Sequence, residues 1–423
     1  MGGLFAELQW RGLVHQATDP VVLPKLLDHE VLAGYIGFDP TADSLHVGHL
    51  LQLTLLRRLQ DAGHRPIALV GGGTGLIGDP SFRSDERVLL TADQLHANKA
   101  GIRDQLERFL DFGHGGAILE DNATWLMSVG LLDFLRDVGK LFSVNEMIRK
   151  ESVRSRLEGR EQGISFTEFS YMLLQAWDFL QLFDRYGCRL QLGGSDQWGN
   201  IIEGVDLIRR LRDMQAFGLT SPLITKADGT KFGKTESGTV WLDARRTSPY
   251  EFFQYWIRTS DADVGDYLRY FTFLEQNAIE ELDRATAAHP ERRDAQRELA
   301  RQVTTLVHGE DETDRAERAA AVLFTPEVAG LDLDTLRASL ADAPSLPVRR
   351  SELAAGLSLV DALVRTELVA SRSDARRQLQ AGGVYVNGHR ANAERSLGPG
   401  EALYGRYIIL RRGKAEHAVL TVD

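Results

Sequence analysis

The sequence predicts an α/β protein with a parallel sheet in its first half, an α-helical region in its middle and a small α+β segment at its end. In the first half, short apolar runs alternate with stretches of helical period, as at 31–38 and 47–59, and such alternation is typical of a parallel sheet. From about 248 to 323 the sequence reads as helices, and no run there resembles a buried strand. The 423 residues are enough for two or three domains.

The α/β part begins with a strand and a helix. The apolar run 31–38 predicts the strand, and the leucines between Val47 and Leu59 predict the helix, with Ser44 as a candidate cap. A second apolar run, 66–70, leads into the glycine-rich loop GGGTGLIGDPS. The later elements are helices near 91–110, 130–140 and 167–184, strands near 117–119 and at 189–192, and a helix that ends near 213.

Composition excludes several classes of protein. The chain has no run of about 18 apolar residues that would predict a transmembrane helix, and its N-terminus lacks the pattern of a signal peptide. The one cysteine, Cys188, excludes an intrachain disulfide, and together these features predict a cytoplasmic protein with no membrane association. A formal charge of −11 argues against broad, non-specific binding of nucleic acid.

The C-terminal segment carries positive charge that the rest of the chain lacks. Residues 350–423 hold 11 Lys and Arg against 8 Asp and Glu. Residues 371–383, SRSDARRQLQAGG, read as a helix that ends at its two glycines, Val384–Val386 reads as a short strand, and Asn387-Gly388 reads as a tight turn. The stretch before this segment, 326–353, reads as a linker.

The tetrapeptide His46-Val47-Gly48-His49 lies where the first strand passes through a loop into a helix. A helix N-terminus offers unpaired N–H groups and a partial positive charge, which suit phosphate. Gly48 leaves room for a flat base near the backbone, and the imidazoles of His46 and His49 share a face of the helical turn, where they can donate to phosphate oxygens. The motif predicts a nucleotide site, although two solvated histidines at a surface helix are the commoner meaning of such a tetrapeptide alone.

A second motif, Lys231-Phe232-Gly233-Lys234-Thr235, lies in a loop rich in glycine and threonine. Two lysines three residues apart, flanked by Gly229 and Gly238, suit a mobile loop that closes on pyrophosphate. A solvated basic turn is the alternative if this loop is considered by itself.

Together, and in this order, the two motifs resemble the HIGH and KMSKS signatures of the class I aminoacyl-tRNA synthetases. Val replaces the Ile of the first signature, and Phe, Gly and Thr replace the Met and both Ser of the second. Both histidines, the glycine between them and both lysines are kept, so the chemistry of the signatures is expected to be intact.

Longer segments resemble the bacterial tyrosyl-tRNA synthetases, a family within that class. They are YIGFDPTADSLHVGHL at 35–50, GLIGDPS at 75–81, SYMLLQAWDFL at 170–180, GGSDQWGN at 193–200 and KFGKTESG at 231–238. With the C-terminal segment, the resemblance covers nearly the whole chain. It implies a Rossmann-like catalytic domain at 1–222, the second signature with an α-helical anticodon-binding domain at 223–325, the linker at 326–353 and a small α+β S4-like RNA-binding domain at 354–423.

The resemblance implies that Tyr35 and Asp178 hydrogen-bond the phenol of a bound tyrosine. A buried site that recognises a hydroxyl group needs both a hydrogen-bond donor and an acceptor, and this pair supplies them. Tyr171, Gln175 and Asp178 recur at i, i+4 and i+7, and this spacing puts them on one face of the helix predicted near 167–184. The remaining residues implied for tyrosine are Asp79, which with Tyr171 and Gln175 binds the α-amino group, and Gln191 and Gln197, which complete the pocket wall.

The nucleotide side of the site is implied in the same way. Thr41 and His46 would contact the γ-phosphate region while the α-phosphorus is attacked, and Lys231 and Lys234 would close over pyrophosphate. The further residues implied for ATP and catalysis are Gly37, Asp39, Gly48, His49, Gly194 and Asp196, with Arg83 and Arg87 adding charge from a second loop.

The implied substrates are L-tyrosine, ATP with Mg²⁺, and tRNA(Tyr), with no tightly bound metal, and the implied assembly is a homodimer. Arg376 and Arg377 on the C-terminal helix would contact the tRNA backbone, a contact that weakens with salt. The tyrosine carboxylate is already a nucleophile, so no general base is needed. Catalysis is expected from positioning and from cations that bind better in the transition state.

Three alternatives stay open at this point. The tryptophanyl enzyme shares the class, but Tyr35 with Asp178 and the C-terminal segment speak against it. A small-molecule nucleotidyltransferase shares H-x-G-H but needs neither the loop at 229–238 nor an RNA-binding segment. A non-enzymatic RNA-binding protein on a decayed synthetase scaffold is disfavoured by the intact histidines and lysines.

Overall fold

The computed structural model describes residues 2–79, 90–150, 153–154, 157, 164–227, 229, 232–235, 238–341, 343–391, 394–413 and 416–423. Within them the chain divides into two units, one formed by 1–246 with 259–299 and the other by 247–258 with 300–423. No helix in these ranges is both long and apolar enough to cross a membrane.

Up to residue 221 helices separate the strands, as predicted, and several helices follow one another between 123 and 186. The helices are α1 (Leu4–Trp10), α2 (Val22–His29), α3 (Val47–Asp61), α4 (Ala92–Phe109), α5 (Ala123–Leu126), α6 (Leu131–Asp137), α7 (Val144–Arg149), α8 (Phe166–Tyr186), α9 (Trp198–Arg212), α10 (Pro249–Ile257), α11 (Val264–Phe271), α12 (Gln276–Ala288), α13 (Asp294–His308), α14 (Glu310–Val322), α15 (Leu333–Ser339), α16 (Arg350–Ala354), α17 (Leu359–Arg365) and α18 (Arg372–Gln380). The strands are β1 (Gln16–Ala17), β2 (Ala33–Phe38), β3 (Arg65–Val70), β4 (Ile118–Asp121), β5 (Cys188–Gly194), β6 (Phe217–Ser221), β7 (Lys234–Thr235), β8 (Gly238–Thr239), β9 (Ser345–Val348), β10 (Leu357–Ser358), β11 (Val384–Val386), β12 (His389–Ala391), β13 (Ser396–Leu397), β14 (Tyr407–Arg412) and β15 (Glu416–Val422).

The main sheet of the first unit has the order β1-β6-β5-β2-β3-β4. Strands β2 to β6 pair in parallel, which confirms the predicted α/β class, and β1 adds an antiparallel edge that is too short for a sequence pattern to reveal. From β2 the chain builds outward through β3 and β4, and then returns to add β5 and β6 on the other side. In such doubly wound sheets, ligands bind at the carboxyl ends of the strands where the order reverses, here β2 and β5.

Helix α8 illustrates why the sequence folds in this way. Its N-cap is Ser165, whose hydroxyl accepts a hydrogen bond from the amide of Glu168, and it ends at Gly187, which has a left-handed φ of 63°. The apolar residues between these ends bury one face against the sheet, in a core that includes Phe179 and the thiol of Cys188. The helix predicted near 167–184 is therefore confirmed, and it carries polar side chains of that face into the interior.

The second unit contains a five-stranded sheet of order β12-β11-β14-β15-β9. Its apolar face packs against α17 and α18, with Leu363, Leu379 and Leu410 fully buried. The predicted turn at Asn387-Gly388 is confirmed, because both residues have positive φ, 48° and 76°, as a two-residue hairpin turn requires.

The stretch 326–353, which we predicted as a linker, contributes to the packing of this second unit. Helix α15 buries Leu336 in a cluster with Ile409 and Val419 of the sheet, and β9 pairs in parallel with β15. A seven-residue helix and a four-residue strand are too short to show a clear hydrophobic period, which explains why the sequence pattern was weak there.

Candidate functional site

The N-cap of helix α3 is His46, which caps the helix with its imidazole. The Nδ1 atom of His46 accepts from the amide of Gly48 at 3.0 Å, and Nδ1 of His49 accepts from the amide of His46 at 3.2 Å. The expectation that Ser44 caps the helix is wrong, because its hydroxyl is bonded to Leu45 and Gln105 instead. Since both Nδ1 atoms accept, each neutral ring carries its proton on Nε2, which is a donor.

The amides of the first turn of α3 are already paired, contrary to our expectation of unpaired N–H groups. The amide of Val47 donates to the carbonyl of Val240 at 3.1 Å, and that of His49 donates to the carbonyl of His46 at 2.8 Å. Gly48 donates to the His46 ring, and a side chain at Gly48 would come within 2.7 Å of that ring. The backbone amides of this turn are therefore engaged within the protein, and the two imidazole rings lie beside each other with their centroids 4.0 Å apart.

The segment that follows the second signature is joined to this helix mouth. The amide of Leu242 donates to the carbonyl of Leu45 at 2.9 Å, and His46 and Trp241 form an antiparallel bridge. The Trp241 ring meets the His46 ring edge-on at 5.9 Å, and the guanidinium of Arg246 lies 3.4 Å above the same indole. Residues 45–49, 232–235 and 238–242 are called the signature junction below.

Gly233 brings the second signature onto the first. Its φ is +80°, and a Cβ added to it would lie 2.9 Å from Cγ2 of Val47 and 3.6 Å from the nitrogen of Gly48. Only glycine fits this backbone conformation and this close approach without strain. The backbone of Lys234 follows in the hairpin of β7 and β8, paired with Thr239. Lys231, Arg83 and Arg87 lie outside the described residues.

A cluster of buried polar side chains lies where β2 pairs with β5 and α8 packs against the sheet. Tyr35 on β2 and Asp178 on α8 are both buried, and the Tyr35 ring packs against Phe179 with centroids 5.3 Å apart. Within the described part of the chain, the hydroxyl of Tyr35 and Oε1 of Gln191 are buried without a hydrogen-bond partner. Buried polar atoms are nearly always paired, and these two belong to residues at paired positions of β2 and β5, so they indicate room for a polar ligand. This region, which the sequence predicts to bind tyrosine, is called the tyrosine pocket below.

Asp178 is held by two side chains that the sequence did not reveal. Its carboxylate accepts from Nδ2 of Asn122 at 2.9 Å and from Nε1 of Trp125 at 2.6 Å. Burial raises the pKa of Asp178 to about 7, although these two hydrogen bonds lower it. Asn122 directly follows β4, so the rule that sites form at the carboxyl ends of parallel strands was the signal that could have found it.

A chain of hydrogen bonds links the phenol end of the pocket to Asp39. Asn122 donates to Oγ1 of Thr74 at 3.0 Å, and Thr74 donates to Oδ1 of Asp39 at 2.8 Å. The hydroxyl of Tyr171 donates to Oδ2 of the same carboxylate at 3.0 Å, and burial raises the pKa of Tyr171 well above its ordinary value. The structure thus joins Asp178, expected to bind the phenol, with Asp39, expected near the nucleotide.

A second cluster gathers the other residues expected around the amino acid. Gln197 donates through Nε2 to Asp79 at 2.7 Å and to Asp196 at 3.1 Å. Gln175 donates to Oε1 of Gln197 at 3.2 Å, and Asn200, which the sequence did not point to, donates to Gln175 at 2.9 Å. Burial raises the pKa of Asp196. Amides and carboxylates in this arrangement present acceptors to an ammonium group.

Three further predicted residues line the edge of the sheet. Gly37 is the penultimate residue of β2, and no atom lies within 4 Å of an added Cβ, so the space beside it is open. An added Cβ at Gly194 would lie 2.4 Å from Oδ1 of Asp196, and Thr41 is exposed in the loop after β2. No group of three or more His, Cys, Asp or Glu side chains in the described ranges is arranged to hold a metal ion.

Arg376 and Arg377 lie on α18 in the second unit. Both are exposed, and each is paired with an acid, Arg376 with Glu394 at 2.9 Å and Arg377 with Asp374. The two guanidinium groups are therefore accessible to solvent, and the charge of each is balanced by a neighbouring carboxylate.

Comparison with known proteins finds the same family over the whole chain. The family profile described as tRNA synthetases class I (W and Y) matches residues 27–325, and that of the tyrosine–tRNA ligase SYY-like C-terminal domain matches residues 336–420. The tyrosine–tRNA ligase of Roseiflexus castenholzii is 54% identical over 99% of both chains, and that of Geobacillus stearothermophilus is 52% identical over 99% of both. A C-terminally truncated mitochondrial tyrosyl-tRNA synthetase of Aspergillus nidulans is similar in structure, with a TM-score of 0.69, 32% identity, and coverage of 77% of this chain and 95% of that one.

Proposed function

Since the chain belongs to the class I tyrosyl-tRNA synthetase family, we propose that the tyrosine pocket and the signature junction together form its catalytic site. The family's activity is a two-step aminoacylation. The chain is thus a tyrosine–tRNA ligase, which activates tyrosine with ATP to tyrosyl-adenylate and pyrophosphate and then transfers the tyrosyl group to the 3′-terminal adenosine of tRNA(Tyr).

The meeting of the two signatures carries this proposal. The 231–235 motif is far from His46 in sequence, yet Gly233 lies against Val47 and the bridge between His46 and Trp241 fixes the following residues. Imidazole donors and a lysine-bearing segment at one helix mouth form the arrangement that a triphosphate needs. A solvated helix start and an unrelated basic turn would have no reason to be joined.

In the tyrosine pocket, we assign the phenol to Tyr35 and Asp178. The carboxylate accepts a hydrogen bond from the phenol O–H, and the unpaired hydroxyl of Tyr35 donates to the phenol oxygen. The α-amino group is assigned to the acceptors around Asp79, Tyr171 and Gln175, at the end of the pocket that leads to Asp39. The tyrosine carboxylate then points toward the nucleotide.

At the signature junction, we assign the lysines and histidines to stabilise the negative charge on the leaving pyrophosphate. The tyrosine carboxylate attacks the α-phosphorus in line, the bond from this phosphorus to the pyrophosphate oxygen breaks, and pyrophosphate leaves with its Mg²⁺. His46 and His49 donate through Nε2, and Lys231 and Lys234 neutralise the developing charge, so their contribution is greatest in the transition state. Mg²⁺ enters as part of the substrate MgATP, and Arg83 and Arg87 are assigned to add positive charge from a second loop.

The test of the assignment is the exchange of labelled pyrophosphate into ATP with each of the twenty amino acids. We expect exchange with tyrosine alone. Exchange that depends on tryptophan would support the neighbouring enzyme of the class, and a lack of exchange with any amino acid would support a non-enzymatic RNA-binding role.

For tRNA, we propose that the helices within 223–325 meet the anticodon and that the S4-like part of the second unit holds the RNA backbone through Arg376 and Arg377. Truncation is a poor test, because a cut near 350 would remove the partner of β9 and open the cluster around Ile409. Point variants on α18 leave this packing intact.

We also propose that the enzyme is a cytoplasmic homodimer. More than half of the exposed large hydrophobic side chains in the described ranges lie between 127 and 166, among them three leucines of α6. Exposed apolar surface of this kind marks a protein interface, and a second copy of the chain is the partner that the family implies. Leu132→Asp, at a side chain that is 81% exposed, should yield monomers by light scattering, whereas Val21→Asp, at a side chain 62% exposed elsewhere, should not.

A further inference from the structure

The ring of Phe232, within the second signature, is held by two aromatic side chains of α11. It stacks on Phe271 with the ring centroids 5.4 Å apart and the planes at 9°, and it meets Tyr267 edge-on at 5.3 Å and 73°. Tyr267 and Phe271 are themselves buried and lie four residues apart, so they share one face of the helix. The signature segment therefore has an aromatic anchor on a helix that belongs to neither motif.

Helix α11 is in turn fixed to α3, the helix that carries the histidines. The hydroxyl of Thr54 on α3 donates to the carbonyl of Tyr270 at 3.3 Å. The guanidinium of Arg58, also on α3, donates to the carbonyl of Thr272, and Arg11 donates to that of Arg269 at 3.2 Å. Two arginines thus satisfy the carbonyls at the end of α11, where the helix leaves them unpaired.

Phe232 and Gly233 connect the two helices. Phe232 rests on α11, and the next residue, Gly233, lies against Val47 in the first turn of α3. The position of this short segment is therefore set from two sides, and the lysines at 231 and 234 flank it.

We propose that Phe232 is a positioning residue, whose stacking on Tyr267 and Phe271 fixes the reach of the two lysines and thereby the rate of tyrosine activation. The proposal rests on the role assigned to Lys231 and Lys234 above, and it adds α11 to the parts that govern the reaction. Without the anchor, the contacts described for this segment that remain are those of Gly233 and the pairing of β7 with β8. The cations then lie off their productive positions, and a displacement of about 1 Å can reduce a rate on the order of 10²-fold.

The experiment measures single-turnover formation of tyrosyl-adenylate and, separately, the Kd of tyrosine. Phe232→Ala should lower the rate roughly ten- to a hundredfold and leave the tyrosine Kd within about twofold. Phe232→Met should restore most of the rate, because methionine stands here in the KMSKS consensus and its thioether packs well against aromatic rings. Phe271→Leu should lower the rate less than Phe232→Ala does.

The double variant Phe232→Ala/Phe271→Leu shows whether the two rings act as a unit. We expect it to be little slower than Phe232→Ala alone, because the second change removes an interaction that the first has already abolished. Tyr270→Leu is the matched control, since it removes an aromatic side chain from the same helix that meets Phe271 edge-on at 6.3 Å but, among the described ring contacts, does not meet Phe232. It should keep the native rate.

Lys234→Ala separates this inference from the assignment on which it rests. A slow Lys234→Ala enzyme with a native rate in Phe232→Ala would overturn the anchor and leave the lysine's role standing. Independent, multiplicative losses in the double variant, or a loss of tyrosine affinity as large as the loss of rate, would also overturn it. A native rate in Lys234→Ala would refute the assigned role of that lysine, and the anchor with it.

Discussion

The tyrosine pocket and the signature junction are built in different ways. The pocket is a set of buried side chains bonded to one another, so that Asp178, Asn122 and Thr74 each have their partners in place. The junction is held by backbone hydrogen bonds, such as those of Val47 and Leu242, and by ring contacts. A pocket that recognises the side chain of one amino acid must be organised before the substrate binds. The junction has only to place cations where negative charge develops on the leaving group.

This difference predicts different consequences of mutation. In the pocket, each changed side chain leaves a buried partner unsatisfied, so affinity and selectivity for tyrosine should suffer. In the junction, the helix mouth remains in place, so the rate of activation should suffer while tyrosine binds normally.

His46→Ala should have the largest effect, and it tests the junction. Removing one donor to a developing oxyanion costs about 10²- to 10³-fold in rate in comparable sites, and we expect this loss in single-turnover activation. The tyrosine Kd, measured by equilibrium dialysis, should stay within about twofold of native, because the pocket does not use this ring.

His46→Asn is the matched variant for the capping role of the ring. Asparagine is a good N-cap, whereas alanine loses about 0.5–2 kcal/mol of helix stability on this account. Both variants should be equally slow, and only His46→Ala should be less stable in urea. If His46→Asn kept the native rate, capping rather than phosphate contact would explain the loss, and the comparison between the regions would fail.

Asp178→Asn should have the next largest effect, and it tests the pocket. The amide removes the charged acceptor of the phenol and turns its NH₂ toward Asn122 or Trp125, which also donate. Hydrogen bonds to charged groups contribute about 1.5–3 kcal/mol, so the tyrosine Kd should rise roughly ten- to a hundredfold. The ratio of kcat/KM for tyrosine over phenylalanine should fall with it, and an unchanged ratio would remove Asp178 from the recognition of the phenol.

The pH dependence of tyrosine binding should be a smaller effect of the same carboxylate. With the pKa of Asp178 raised to about 7, this side chain is mainly protonated in the free enzyme below that pH, and the neutral carboxyl group accepts the hydrogen bond of the phenol more weakly than the carboxylate does. The tyrosine Kd should therefore rise by up to about tenfold per unit as pH falls below 7, and Asp178→Asn should flatten this profile.

The contribution of Asp178 to folding stability should have the opposite sign. Its pKa in the folded state lies above that of an unfolded aspartate, so the folded protein binds the proton more tightly. This contribution is present below about pH 4 and is lost as pH rises through about 7. Urea unfolding of native and Asp178→Asn enzyme at pH 5 and 8 would show it, and a native enzyme that gained stability relative to the variant with rising pH would contradict the burial argument.

The sequence predicted the main sheet and its helices because those elements are long and periodic. It did not reveal β1, α15 or β9, which are too short to show a period. It also pointed to the wrong cap, since Ser44 is a better N-cap by type than His46, but Gln105 already occupies its hydroxyl.

The sequence likewise revealed some residues of the candidate site and missed others. Residues within contiguous motifs, such as Tyr35, Gln175 and Asp178, could be named from the sequence. Asn122 and Trp125 could not, because their importance comes from contacts with α8, more than 50 positions away in the chain. Similarly, Val240 is an ordinary apolar residue until the structure pairs it with the amide of Val47.

Arg376 and Arg377 should give the smallest effect, and they sharpen the comparison because they should affect neither region. Their side chains are 51% and 76% exposed, and exposed ion pairs contribute only about 0–1 kcal/mol, so the double Ala variant should unfold at nearly native urea concentration. Pyrophosphate exchange should be native, while the KM for tRNA(Tyr) should rise a few-fold. The dependence of this KM on salt should weaken by about one unit of slope for each phosphate that the arginines no longer neutralise.

Arg103→Ala is the control, because it breaks an exposed ion pair that lies in the first unit instead, and it should leave the KM for tRNA unchanged. A native KM and salt dependence in the double variant would mean that the acids beside these arginines keep them from RNA, and that the tRNA-binding surface must be sought elsewhere on the second unit.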